Sequence, residues 1–266
     1  MISFRNWQDC IKNRYEGVIK LNVFNTSQYI LEVALNRDKV ASFNEYPFSI
    51  PAIVKLNEIE LHPNVTFFVG ENGSGKSTLT EAIAVAFGLN PEGGSKHFTF
   101  STENSHSELH RYLVLRKGIK RPRDSYFLRA ESFYNVATNI EELGIGYVYS
   151  DKSLHHQSHG ESFMSLFLHR FLGKGLYILD EPEAALSPMR QLSLISRIHE
   201  LASNNSQFII ATHSPILLSY PNSFIYNIDD NGINRIAYED TEHFTITKNF
   251  FNHYKIMLNE LMKFDE

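Results

Sequence analysis

Cysteine is all but absent: Cys10 stands alone, so no internal disulfide can form. Long apolar runs are missing too. Phe208 to Ala211 and Leu176 to Leu179 are strand-sized, and even Ala82 to Phe87 has six residues, far short of the roughly 20 residues that a membrane-spanning helix needs. There is no general basic excess either. With 25 Lys and Arg against 30 Asp and Glu the net charge is −5, so any attraction for nucleic acid must come from a local patch. The first residues lack the basic, apolar and small-residue pattern of a secretory leader, which sets the cytoplasm as the expected location. Repeats and low-complexity tracts are also missing. What 266 residues at 42% hydrophobic do allow is one large domain with an ample core, or one domain carrying a subdomain.

Along the chain, residues 1–27, around Trp7 and Tyr15, carry no motif and read as an N-terminal extension to a single domain over 28–266. Tyr29 to Leu35 and Ile53 to Leu61 read as strands and turns of an N-terminal sheet. Val65 to Val69 is an apolar run ending in a glycine-rich loop, and Leu79 to Phe87 follows as a buried helix. Asn90-Pro91 and Gly93-Gly94 end this unit. Leu109 to Leu115 and Ser125 to Arg129 read as two strands around a basic turn, and Ser132 to Leu143 as a helix, together forming a small subdomain inserted over about 92–157. Ser162 to Phe171 reads as a helix leading into the strand Leu176 to Leu179. A second helix, Pro188 to Ala202, is striped by Leu192, Ile195, Ile198 and Leu201 and has its proline in the first turn. Phe208 to Thr212 is another continuous apolar strand, and Asn231-Gly232 joins Phe224 to Ile228 with Ile233 to Tyr238 as a hairpin. Continuous apolar strands alternating with helices predict an α/β fold with a largely parallel sheet covered on both faces.

Gly70-Glu-Asn-Gly-Ser-Gly-Lys-Ser77 matches the phosphate-binding pattern G-x-x-x-x-G-K-[ST] in its required setting between a strand and a helix. Gly70, Gly73 and Gly75 let backbone N–H groups, with those of Asn72, Ser74 and Thr78 nearby, turn around phosphates. Lys76 supplies a point charge and the Ser77 hydroxyl is a candidate Mg²⁺ ligand. Leu176-Tyr-Ile-Leu-Asp-Glu181 is a buried strand ending in two carboxylates. There Asp180 can face a metal while Glu181 faces an attacking water. His155, His156 and His159 lack a cysteine or carboxylate set at ligand spacing and read as a polar loop.

Taken in order, these motifs resemble the nucleotide-binding domain of the ATP-binding-cassette ATPases, within them the stand-alone branch that includes the chromosome-maintenance and recombination-repair ATPases. The resemblance covers about residues 29–238. It implies a P-loop NTPase fold, Mg-ATP as the bound species, and two subunits closing head-to-tail around two ATP molecules. His213, in Ala-Thr-His-Ser-Pro, resembles the family's switch histidine that senses the γ-phosphate. Pro182-Glu-Ala-Ala-Leu-Ser-Pro188 resembles the loop touching the opposite subunit. Ser158-His-Gly-Glu-Ser162 stands where the family's signature loop closes over the partner's ATP, Ser158 and Gly160 keeping the hydroxyl and the close backbone approach. It departs from the family pattern in Gln157 and in His159, which replaces the first of two glycines. No clear metal-sensing glutamine is present, and Arg129 or Glu131 lies in its region.

With about 80 residues between Lys76 and Ser158, there is no room for long coiled-coil arms. Arg111, Arg116, Lys117, Lys120, Arg121, Arg123 and Arg129 against Asp124 make a basic stretch able to contact nucleic acid. The expected function is that of an ATP-binding and ATP-hydrolysing homodimer working in DNA repair or defence, with no direct membrane insertion. The alternatives are the energising subunit of a membrane transporter and a nucleotide-gated binding module of a defence or toxin system.

Overall fold

The computed structural model describes residues 28–95, 107–130 and 159–262. Its centre is a seven-stranded sheet in the order β10-β9-β3-β8-β7-β6-β4. In chain order these are β3 (Val65–Val69), β4 (Gly94–Ser95), β6 (Asp124–Arg129), β7 (Gly175–Asp180), β8 (Gln207–Ala211), β9 (Phe224–Asp229) and β10 (Gly232–Ile236). The five inner strands run parallel, and β10 and β4 close the two edges antiparallel. A second, three-stranded antiparallel sheet has the order β2-β1-β5, from β1 (Ile30–Leu35), β2 (Glu58–Glu60) and β5 (Leu113–Lys117). The largely parallel sheet and the small antiparallel one are those that the apolar pattern predicts.

The apolar runs are continuous because both faces of the large sheet are covered. Along β7, Tyr177 and Leu179 enter one core cluster while Leu176 and Ile178 enter the other. Along β8, Phe208 and Ile210 go to the first, Ile209 and Ala211 to the second. The first face is covered by α3 (His159–Ser165), which continues as one wider turn over Leu166–Arg170, and by α4 (Pro188–Ser203). Phe163, Phe167 and Phe171 pack in sequence there, the Phe167 and Phe171 rings edge to face, and the series ends with Phe171 stacked on Tyr177 at 4.2 Å between ring centroids. The second face is covered by α2 (Lys76–Phe87) and the small sheet. Gln207, fully buried, joins the two sheets: its Oε1 accepts from Tyr29 N and Ile30 N, and its Nε2 donates to the Ile30 and His62 carbonyls.

Local order differs from expectation in several places. Ile53 lies in a helical turn, α1 (Pro51–Val54), rather than a strand, because Pro51 occupies the first helical position and a four-residue apolar run does not distinguish the two. Leu109 lies in a 3₁₀ turn over Glu108–Arg111, opened by Ser107 Oγ accepting from Leu109 N at 3.1 Å; the strand starts at Leu113. The two strands flanking the basic turn do not pair with each other. β5 belongs to the small sheet and β6 to the large one, so the described parts of 92–157 are built into both. On α4 the buried positions are Leu194, Ile198, Leu201 and Ala202, whereas Leu192 is 44% exposed. A stripe at strict spacing of three drifts about 60° per step around a 3.6-residue helix, so its ends face opposite sides. The helix expected over 132–143 lies outside the described residues, as does the extension 1–27.

Candidate active site

Three strand ends build the site. The loop after β3 begins with Gly70 at φ 149°, where an added Cβ would stand 2.2 Å from the Ile228 carbonyl oxygen; only glycine fits. The loop feeds α2, whose first residue is Lys76. Lys76 is 4% exposed, and its Nζ donates to the Gly70 and Glu71 carbonyls at 2.9 and 2.7 Å. Burial lowers its pKa, opposed by the nearby Glu181, Asp180, Glu183 and Glu71 carboxylates. Ser74 Oγ is buried within the loop without a hydrogen-bond partner, and Thr78 Oγ1 lies 3.4 Å from the hydroxyl of the exposed Tyr46.

β7 delivers Asp180 to the loop. Ser77 Oγ donates to Asp180 Oδ1 at 3.0 Å, across 103 positions of sequence. Behind this pair, Arg129 at the end of β6 binds Glu81 of α2 at 2.7 Å and stands 3.9 Å from Asp180 Oδ2; the other Glu81 oxygen accepts from Ser107 N. Arg129 is thus beside the site, and Glu131 lies outside the described residues. Glu181 takes a left-handed conformation at φ 52°, so its side chain leaves the alternation of β7. Such a conformation costs a non-glycine residue about 1 kcal/mol or more and is sustained by surrounding contacts; here Glu181 N donates to the Ala211 carbonyl at 2.9 Å.

β8 delivers His213. Its backbone N–H donates to Glu183 Oε1 at 2.5 Å, its Nε2 lies 3.7 Å from Glu181 Oε1, and its Nδ1 lies 3.1 Å from His243 Nε2. His243 belongs to α6 (Glu242–Leu261), which follows the short α5 (Pro215–Leu218). Both rings are held below the usual imidazole range, chiefly by burial and then by the Lys76 charge. Burial raises the Glu183 carboxyl, against the hydrogen bonds it accepts. A cavity of about 480 Å³ opens between the loop residues Gly70 to Asn72, His213 and the first turn of α6.

The structure therefore gathers Gly70, Asn72, Gly73, Ser74, Gly75, Lys76, Ser77, Thr78, Asp180, Glu181 and His213 at one end of the parallel strands. Ser158 lies outside the described residues, as do His155 and His156. Gly160 packs elsewhere: an added Cβ would meet Arg190 Nη1 at 2.2 Å and the Ala185 carbonyl at 2.7 Å, so it closes on the loop 182–187. The inward-facing Glu183 and the distant His243 had no signal of their own. A carboxylate three residues beyond a strand end is seen as a ligand for backbone only once the strand beside it is known.

A phosphate loop between a central parallel strand and a helix, facing the Asp-Glu end of another strand across one intervening strand, defines a P-loop nucleoside triphosphatase. Residues 48–143 match the family model of an AAA domain, and 162–219 match a second, described as "AAA domain, putative AbiEii toxin, Type IV TA system". The first match carries the phosphate loop and the second the strand ending at Asp180, so the chain resembles AAA-domain P-loop ATPases in both parts of the site. No curated relative matches it. Among solved structures it is similar to CbiO1 of Clostridium perfringens, part of an ABC transporter complex, at 18% identity and a TM-score of 0.45 over 89% of this chain and 100% of that one. The SMC head domain of Thermotoga maritima is similar at 16% identity and 0.45 over 79% and 99% respectively. No helix among the described residues is long and apolar enough to cross a membrane.

Proposed function

We propose that this chain binds Mg-ATP on the Gly70 to Thr78 loop and hydrolyses it with Glu181 in a head-to-tail dimer. The observation that carries this is the Ser77 to Asp180 contact of 3.0 Å beside the buried Lys76, with Glu181 and His213 facing the same space. Hydroxyl and carboxylate together form a hard oxygen donor pair suited to Mg²⁺. When bound there, the ion supplies charge neutralisation to the β- and γ-phosphates. Lys76 leaves its loop carbonyls for phosphate oxygens, and Ser74, whose hydroxyl lacks a partner, has a donor to offer. The exposed Tyr46 ring offers an aromatic face to the base. Glu181 accepts a proton from the attacking water, and Arg129 with Glu81 holds Asp180 in place. His213 donates to the γ-phosphate.

The dimer reading is supported by Gly160 closing on the 182–187 loop: the segment expected to cover a partner subunit's nucleotide and the loop expected to touch that subunit lie side by side. Ser158 would complete that cover. The domain would span 28–266, with residues 1–27 as an extension and 92–157 carrying the inserted segments. The work driven is assigned to DNA repair or defence, in the cytoplasm. Lys117, Lys120, Arg121 and Arg123 are exposed near Lys174 at the opposite end of the strands, where they can meet a polyanion. Against this stands a nucleotide-gated module of a toxin system, favoured by the description of the second family model.

Steady-state ATP hydrolysis, with and without duplex DNA at low salt, tests both. Hydrolysis that rises with DNA, and loses the rise when these cations are neutralised, supports the DNA-directed role. ATP binding with negligible turnover favours the gated module, and absence of binding overturns the proposal.

A further inference from the structure

The C-terminal helix enters the nucleotide site through one residue. α6 has no buried residue, and Ile246, Phe251, Tyr254 and Ile256 along it are 47–71% exposed. Its first turn is nevertheless fixed. The fully buried Thr241 caps it by accepting from Phe244 N at 3.2 Å, and the Phe244 ring packs on Tyr238 at 4.7 Å. This fixed turn places His243 Nε2 at 3.1 Å from His213 Nδ1.

One proton lies between those two nitrogens, and the remaining two decide which ring owns it. His213 Nε2 and His243 Nδ1 are both buried and have no hydrogen-bond partner. If His213 Nδ1 were the donor, its bare Nε2 would direct a lone pair at Glu181 Oε1, 3.7 Å away, and His243 would bury an unsatisfied N–H. In the other arrangement His213 Nε2–H points at the carboxylate, and the atom left over on His243 is an acceptor. Buried acceptors without partners are tolerated better than buried donors, and a lone pair facing a carboxylate is repelled. The groups around the pair act in the same direction. Glu183 already takes the His213 backbone N–H, Glu181 faces the ring, and the Lys76 charge opposes a second proton on either imidazole.

We propose that His243 is a positioning residue: its Nε2–H donates to His213 Nδ1 and holds His213 in the tautomer whose Nε2–H faces Glu181 and the phosphate end of the cavity. The assignment of that N–H to γ-phosphate contact rests on the ATPase reading above. It makes α6 part of the phosphate sensor, since displacing its first turn frees the His213 ring to take the wrong tautomer.

Two measurements test it. In protein carrying ¹⁵N-histidine, two-bond ¹⁵N–¹H couplings should show His213 and His243 both protonated at Nε2 and bare at Nδ1, with the His213 preference lost in His243→Phe. A His213 protonated at Nδ1 in the wild type overturns the proposal, whether or not the protein hydrolyses ATP. In steady-state assays His243→Phe should lower kcat about tenfold with KM little changed, the worth of one buried hydrogen bond. His243→Gln, whose amide N–H reaches the Nε2 position, should keep most of the rate. Wild-type turnover in the Phe variant, or equal loss in both, overturns it. Wild-type ATP binding and Glu181→Gln turnover assayed in parallel separate the two ideas: absent binding defeats the ATPase assignment, unchanged turnover removes Glu181 as its base, and neither defeats the tautomer.

Discussion

The two ends of the parallel sheet handle charge in opposite ways. At the end where β3, β7 and β8 finish, Lys76 and Asp180 are each 4% exposed, Glu181 is held in a left-handed conformation, and His213 keeps a buried nitrogen unpartnered. At the other end, reached along the roughly 20 Å of a six-residue strand, Lys117, Lys120, Arg121, Arg123 and Lys174 all lie exposed. Arg116 is taken by Glu32, and Arg111 by Glu108. Buried charges in a low dielectric interact strongly and are costly to disturb. Exposed ones are individually worth little to the fold. The first end therefore concentrates buried, mutually coupled charges, and the second presents exposed cations to solvent.

The largest effect expected at the buried end is from Glu181→Gln. Turnover should fall about 10²- to 10⁴-fold with ATP binding retained, the usual worth of a general base. A rate unchanged in steady-state assay removes Glu181 from the mechanism. Next comes Gly70→Ala, where the new methyl meets the Ile228 carbonyl at 2.2 Å. The cost should be about 3 kcal/mol or more in chemical denaturation, with nucleotide binding lost, since the loop must move to accommodate it. Leu194→Ala should cost about 2–4 kcal/mol and Leu192→Ala less than about 0.5 kcal/mol, measured the same way. Equal effects would mean that the spacing-of-three face, not the observed one, packs on the sheet.

At the opposite end, the turn into β3 carries a titratable group of structural value. His62 Nδ1 accepts from Asn64 N and Val65 N, and burial, with Arg235 second, lowers its pKa to about 4. The unfolded chain binds this proton near pH 6.5 and the folded one does not. The stability it contributes is therefore present above pH 6.5 and is lost as pH falls through the window down to about 4. Denaturation at pH 7 and pH 4 should differ through this residue by about 1–2 kcal/mol, a figure reduced for the ring's partial exposure to water. The difference should shrink in His62→Gln. The smallest effect on the fold is expected from replacing Lys120, Arg121 and Arg123 with Gln, within about 0.5 kcal/mol in total. If duplex DNA is the ligand, its stimulation of turnover should disappear in that variant while the basal rate stays.

The strand, loop and helix at residues 65–87 were legible because their signals are local: an apolar run, glycines at fixed offsets, and helical periodicity follow one another without interruption. So were the paired carboxylates ending β7. Less legible was the packing face of α4, where several apolar residues compete and only the sheet beneath selects Leu194 over Leu192. Illegible altogether were contacts that join distant positions. The Arg129 to Glu81 bridge spans 48 residues, Gln207 reaches Tyr29 across 178, and His243 lies 30 beyond His213.

By itself, the sequence determined that a phosphate loop would follow a buried strand, that two carboxylates would end another, and that a parallel sheet would hold both. Each depends on properties that residues carry wherever they stand: the steric freedom of glycine, the period of an apolar face, the chemistry of a lysine or a carboxylate. Only the tertiary structure decided that Ser77 meets Asp180, that Glu183 turns inward to hold His213, and that α6 returns to place His243 on the same ring. Those pairings follow from strand order and from where each helix comes to rest. Both are settled by burial summed over the whole molecule, which no local run of residues encodes.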